Sequence, residues 1–173
     1  MTAGTLMTFA YGSNMLTTRL RDPKRCPSAK PLGVAELEGY ELQWHKRSSD
    51  GSGKCDIVAS ASAEARVFGV LYQIAISEKP ALDEAEGLGK GYKEIEVEVV
   101  CNGQRMTAKA YQATNTDSRL KPYNWYRTFV ITGAKEHGLP SKYIEWLEQV
   151  AAKEDPNFTR HDLNMRLIPE ALR

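Results

Sequence analysis

Residues 94 to 113 constrain the fold most. Ile95, Val97 and Val99 alternate with Glu94, Glu96 and Glu98, the two-residue period of a strand with one face inward and the other in water. A second strand-like run covers 105–113, and Asn102-Gly103 lies between the two. Asn-Gly readily adopts the positive φ values of a tight hairpin turn, so the segment reads as a β-hairpin. A hairpin alone is marginal in water and must bury its apolar face against other elements. Further strand-like runs lie at 6–11, 34–44 and 66–76.

Helical patterning is short at first and dominant late. Met15, Leu16, Arg19 and Leu20 have the spacing of a helical turn that stops near Pro23. Ser77 can cap a short helix carrying Leu82 to Glu86, which ends at Gly87. Pro122 leads a helix over 123–137 closed by Gly138, and another follows Ser141 over 142–153. Leu163, Leu167, Ile168 and Leu172 suggest a docked final helix interrupted by Pro169. Strands early and helices late, without alternating strand–helix units, predict an α+β fold: a small mixed or antiparallel sheet with helices on its flank. A chain of 173 residues fits one domain, 1–173, burying roughly 70% of its unfolded surface. No internal repeat is visible, and 46–56, rich in Ser, Gly and Lys, reads as a mobile surface loop rather than a linker.

Composition removes several function classes. The formal net charge is +1 with 26% charged residues, which leaves no basic footprint for nucleic acid or an anionic membrane. The partner is then a small molecule or another protein. Cys26, Cys55 and Cys101 are far apart and odd in number, so neither a disulfide framework nor a zinc knuckle is expected, and a reduced cytoplasm fits. The first residues lack a basic start, and no segment approaches the roughly 18 apolar residues of a membrane helix, so the protein reads as neither exported nor inserted. His45, His137 and His161 have no metal-ligand spacing and read as surface or capping residues. Neither Gly51-Ser52-Gly53-Lys54 nor Gly87-Leu88-Gly89-Lys90-Gly91 completes a phosphate-loop motif.

Three places could carry chemistry. Helical spacing sets Glu86 below Leu82 on the inner face, whereas Asp83 and Glu84 can point to water. A carboxylate held partly out of water has its pKa raised and becomes a competent base; a solvated helix-end glutamate is the alternative. In Tyr11-Gly12-Ser13-Asn14, successive backbone N–H groups before a helical turn can form an anion-binding concavity; an ordinary turn is the alternative. Tyr123, Trp125 and Tyr126 either pack a helix on the sheet or line a pocket.

Taken together, Phe9-Ala10-Tyr11-Gly12-Ser13-Asn14, Leu82-Asp83-Glu84-Ala85-Glu86-Gly87 with Gly91-Tyr92 behind it, and Gly133-Ala134-Lys135-Glu136-His137-Gly138-Leu139-Pro140 resemble the gamma-glutamylcyclotransferase (AIG2-like) family in order and spacing over about residues 6 to 147. The resemblance implies a β-barrel-like sheet flanked by helices. It implies that Phe9, Ala10, Tyr11, Gly12, Ser13 and Asn14 receive a glutamyl unit, that Tyr126 contacts it, and that Glu86 is the catalyst. Tyr111, Gly87 and Tyr92 would support the pocket. The implied substrate is a small γ-glutamyl compound, cyclised to 5-oxoproline with release of its amine; no metal or other cofactor is implied, and a homodimer is left open. The stretches 46–56 and 121–125 differ from the animal enzymes, and such loops would set the leaving group. A free amino acid, a polyamine, a protein lysine or a natural-product amine all fit. The rival reading is a binding or regulatory module that keeps the fold without turnover.

Overall fold

In a computed structural model, which describes residues 4–173, seven strands form: β1 (Thr5–Ala10), β2 (Lys30–Glu38), β3 (Tyr40–Arg47), β4 (Gly53–Ala59), β5 (Arg66–Ala75), β6 (Tyr92–Cys101) and β7 (Gln104–Ala113). The helices are α1 (Thr17–Leu20), α2 (Lys79–Glu86), α3 (Asn124–His137), α4 (Ser141–Glu148) and α5 (Phe158–Met165). Five strands close a barrel in the order β1-β5-β2-β6-β7, while β3 and β4 make a separate hairpin. All barrel pairs are antiparallel except the closure, where β1 runs parallel to β7 with Thr8 opposite Lys109. The mixed, barrel-like α+β architecture is the one the sequence predicts.

The Asn102-Gly103 hairpin forms, with φ of 51° and 75° at its two residues, and β6 pairs with β7 from Tyr92↔Ala113 to Cys101↔Gln104. Val97 and Val99 are buried and Glu96 and Glu98 exposed, as the alternation requires. Phe9, Leu71, Ile74 and Tyr72 from the barrel join Met15, Leu16 and Phe129 in one apolar core. No helix among the described residues is long and apolar enough to cross a membrane.

Several expectations change. The run at 34–44 is two strands, β2 and β3, separated at Gly39, whose φ is 78°. The stretch 46–56 is not a mobile loop: a tight turn at 48–52 leads into β4, and Ser52, Gly53, Cys55 and Asp56 are buried. Composition misled here because the polar groups satisfy one another: Asp50 accepts from the Ser52 amide and hydroxyl and from Lys54 Nζ at 2.9, 2.6 and 2.9 Å. Ser77 caps nothing; a 3-10 turn over Ile76–Glu78 precedes α2, which has no side-chain cap. The helix expected over 142–153 stops at Glu148 because the chain then pairs with the start of α3, Lys153 N–H to Pro122 and Asn124 N–H to Lys153, each at 2.9 Å. Of the four apolar tail residues only Ile168 is buried, while Leu163, Leu167 and Leu172 stay exposed. Asp155 docks α5 instead, accepting from Trp125 Nε1 at 2.8 Å and from two Arg160 nitrogens at 2.6 Å.

Helix α3 reaches the core through Gly133. A Cβ there would lie 2.5 Å from Leu16 N and 2.7 Å from Met15 C, so the helix rides directly on the backbone that follows β1. Gly133→Ala reverses the usual helix gain of about 1 kcal/mol, because backbone cannot yield as a side chain can. We expect it to lose about 1–3 kcal/mol of stability, read as a lower midpoint in chemical denaturation with unchanged slope.

Candidate active site

Strand β1 runs straight into the Tyr11-Gly12-Ser13-Asn14 turn, whose first internal bond is Met15 N–H to Gly12 C=O at 3.1 Å. The amides that open the turn are therefore not consumed within it. The turn is clamped from behind. Tyr72 Oη donates to Met15 C=O at 2.8 Å and lies 2.9 Å from His137 Nε2. The Thr17 amide donates to Glu136 Oε2 at 3.0 Å. The 133–140 motif thus holds the turn in place and takes no part in the cavity. His137 and His45 are consequently not surface residues: their side chains are 12% and 20% exposed, and His45 pairs with buried Asp56 at 2.7 Å.

In front of the turn is a small cavity. Phe9, Ala10, Tyr11, Gly12, Ser13 and Asn14 form one wall; Tyr92, Tyr111, Tyr126 and Glu86 form the others, with Cys55 at its floor. Ten sequence-predicted site residues therefore share one space. Gly87 does not line it; at φ 71° it ends α2 and passes its amide to the Asp83 and Glu84 carbonyls, fixing where Glu86 falls.

Glu86 supplies the cavity's one carboxylate. Asn14 Nδ2 donates to its Oε1 at 2.7 Å and Arg25 Nη1 to the same oxygen at 3.0 Å, while Oε2 receives no hydrogen bond among the described residues. Asn14 Oδ1 is buried without a partner. Contact between Asn14 and Glu86 joins two motifs that are remote in the sequence.

The tyrosines are held by backbone. Tyr11 Oη donates to the Tyr111 carbonyl, Tyr92 Oη to the Cys55 carbonyl at 2.6 Å, and the Cys55 amide donates to Tyr126 Oη at 3.1 Å. Burial first, and neighbouring acidic groups including Glu86 second, push the Tyr11, Tyr92 and Tyr126 phenols well above their usual pKa. Burial also pushes the Cys55 thiol up. These groups stay protonated at neutral pH and serve as neutral polar groups. Asp83, expected to face water, instead accepts from Tyr111 Oη at 2.6 Å and pairs with Lys79.

Beyond Glu86 a second space adjoins the first, sharing Ser13, Glu86, Tyr92 and Tyr126 with it. Arg19, Arg25, Lys46 and Lys54 line it, with Asp50. The sequence singles out none of these residues, nor Cys55, by itself, although Lys46, Asp50, Lys54 and Cys55 fall in the 46–56 stretch expected to set the leaving group. One signal was present: Asp50, Ser52 and Lys54 alternate, as residues sharing one side of an extended segment do. Burial lowers the Lys54 pKa to about 8 against the raising effect of Asp50; for Asp50, burial is outweighed by hydrogen bonds from Ser52 and Lys54, which hold it at about 2.

A model of the AIG2-like family matches residues 66–147. Human gamma-glutamylcyclotransferase is 37% identical over 149 residues, covering 82% of this chain and 77% of the human one. The mouse protein of the same name is 35% identical over 163 residues, 87% of this chain and 81% of its own. The chain belongs to the gamma-glutamylcyclotransferase family. A solved structure of gamma-glutamyl cyclotransferase superimposes with a TM-score of 0.83 at 31% identity, covering 94% of this chain and 99% of that one. The barrel and its flanking helices are thus the fold of this enzyme family.

Two expectations follow from the geometry. Tyr126→Phe removes the acceptor of the buried Cys55 amide and should lower stability by about 1–3 kcal/mol in denaturant unfolding. Lys54 should carry its charge below pH about 8 and lose it above, so its side-chain NMR signals titrate there while those of exposed lysines titrate above about 10.

Proposed function

We propose that the protein is a cofactor-independent cytoplasmic enzyme that cyclises an L-γ-glutamyl unit to 5-oxoproline and releases the attached amine, with Glu86 as general acid and base. The carrying observation is the arrangement of Glu86: it lines the cavity walled by the 9–14 turn, one oxygen is fixed by Asn14 and Arg25, and the other receives no hydrogen bond among the described residues. Membership of the gamma-glutamylcyclotransferase family supports the reaction. Three unpaired, buried cysteines support a reducing compartment.

In this reading the glutamyl carboxylate lies against the amides of the 11–14 turn, and its α-nitrogen faces the unpartnered Asn14 Oδ1 and Glu86 Oε2. The neutral α-amine attacks its own γ-carbonyl carbon, a five-membered closure made easy once the two ends are oriented. A C–N bond forms, the carbonyl π electrons move to oxygen, and the proton lost from the attacking nitrogen goes to Glu86. Turn amides donate to the developing oxyanion. Collapse of the intermediate breaks the original γ-amide bond while Glu86 returns the proton to the departing nitrogen. No water is consumed, and the products are 5-oxoproline and a free amine. Tyr11, Tyr92, Tyr111 and Tyr126 shape the cavity as neutral walls.

Incubation with a panel of γ-glutamyl amino acids and amines should release 5-oxoproline, scored by chromatography. Glu86→Gln should lower the rate by about 10²-fold or more with an unaltered melting temperature. An active Glu86→Gln enzyme would remove Glu86 from its role; no release from any panel member would favour a binding module of this fold instead.

A further inference from the structure

Resting on the cyclotransferase reading, the basic chamber next to Glu86 bears on which amine leaves. The scissile bond must sit at Glu86, the wall shared by both spaces. With the glutamyl half against the 9–14 turn, the amine half falls into the chamber lined by Arg19, Arg25, Lys46 and Lys54.

The charges there do not balance. Arg25 is paired with Glu86 at 3.0 Å and Lys54 with Asp50 at 2.9 Å. Arg19 and Lys46 have no carboxylate within ion-pair distance among the described residues. Arg19 donates Nε to Ser13 Oγ at 3.0 Å and stacks 5.1 Å from the Phe129 ring centroid, which leaves its terminal nitrogens for a ligand. Lys46 Nζ rests 4.7 Å from the Tyr92 ring centroid. Arg19 and Lys46 are partly shielded from water; Glu86 acts on both and Asp50 on Lys46 from a distance, but a partly desolvated cation without a paired anion is stabilised by one that binds.

The cations also sense one another. Burial is the main effect that lowers the Arg19 pKa to about 10, with Arg25 adding repulsion; at Lys54, repulsion from Arg19 and Lys46 adds to burial. A leaving group that brought more positive charge would raise this repulsion. A neutral one would leave it in place. The carboxylate of an ordinary amino acid would answer only one of the two unpaired cations.

We propose that the chamber is a leaving-group subsite for a dicarboxylate amine, so that the preferred substrates are γ-glutamyl units joined to the amino group of an acidic amino acid. One carboxylate meets the Arg19 fork and the other meets Lys46, with Lys54 completing the rim. Arg19 suits a carboxylate because its planar donors can bind both oxygens. Lys46 reaches the chamber because Gly91 leaves room for its stem: a Cβ at that position would lie 2.9 Å from Lys46 Cε.

The test compares kcat/KM for 5-oxoproline release from γ-glutamylglutamate, γ-glutamylglutamine, γ-glutamylalanine and γ-glutamylputrescine at pH 7 and low salt. The glutamate compound should exceed its glutamine isostere by about tenfold or more, the worth of one partly desolvated charge pair, with putrescine the poorest. Added salt should shrink the ratio. Lys46→Gln should collapse it to within about threefold by raising KM for the glutamate compound, and Lys46→Arg should restore it; melting temperatures check that both fold. Equal rates on the glutamate and glutamine compounds, or a preference for the polyamine, would overturn this inference and leave the cyclotransferase reading standing. Release from none of the four would overturn both.

Discussion

The parallel pairing of β1 with β7 closes the barrel, and the active-site geometry descends from it. Thr8 lies opposite Lys109, so Tyr11, just past the end of β1, and Tyr111, near the end of β7, reach the same barrel end at nearly the same level. Tyr11 can then donate to the Tyr111 carbonyl. Because β6 runs antiparallel to β7 with Tyr92 opposite Ala113, Tyr92 arrives at that end as well. An antiparallel closure would have sent the C-terminal ends of β1 and β7 to opposite mouths, and the aromatic walls would never have met the turn.

A turn delivered by a strand end needs support from the far side, and α3 provides it. Gly133 lets the helix touch the backbone of Met15 and Leu16, Glu136 accepts the Thr17 amide, and Tyr72 ties Met15 to His137. The result is a turn held on both faces, with its opening amides still available. Preorganised donors of this kind do not have to reorganise as charge develops. Rigidity of α3 and polarity of the turn are therefore one device seen from two sides.

Much of this was legible in the chain. Alternation of Val97 and Val99 with glutamates, followed by Asn-Gly, specifies the β6–β7 hairpin because both signals are local. Tyr11 to Asn14 and Glu86 were legible as a set only through the resemblance, since the contact between Asn14 and Glu86 depends on the tertiary fold. β4 was hidden because Gly53, Lys54 and Asp56 are ordinary loop residues, and their burial is tolerated through partners such as Asp50, His45 and the Ala113 amide. Arg19 and Arg25 come from one stretch and Lys46 and Lys54 from another, and their convergence on one chamber leaves no trace in net charge. Asp83 was misplaced for a similar reason: its partners, Tyr111 and Lys79, are brought to it by the barrel and by a helical turn.

The lone carboxylate of the cavity is itself informative about the proposed chemistry. Hydrolytic sites often need separate acid and base groups because the proton donor and acceptor act on opposite sides of the reacting centre. In an intramolecular cyclisation the attacking and departing nitrogens become bonded to the same carbon in the intermediate. In the proposed reading, one carboxylate on the wall shared by the two spaces would serve both nitrogens. In the proposed mechanism, anchoring Oε1 through Asn14 and Arg25 would leave Oε2 to receive the proton from one nitrogen and pass it to the other. The shared wall of the two spaces and the one-sided anchoring of Glu86 thus suit the proposed single-base chemistry, in which the proton has only a short distance to travel.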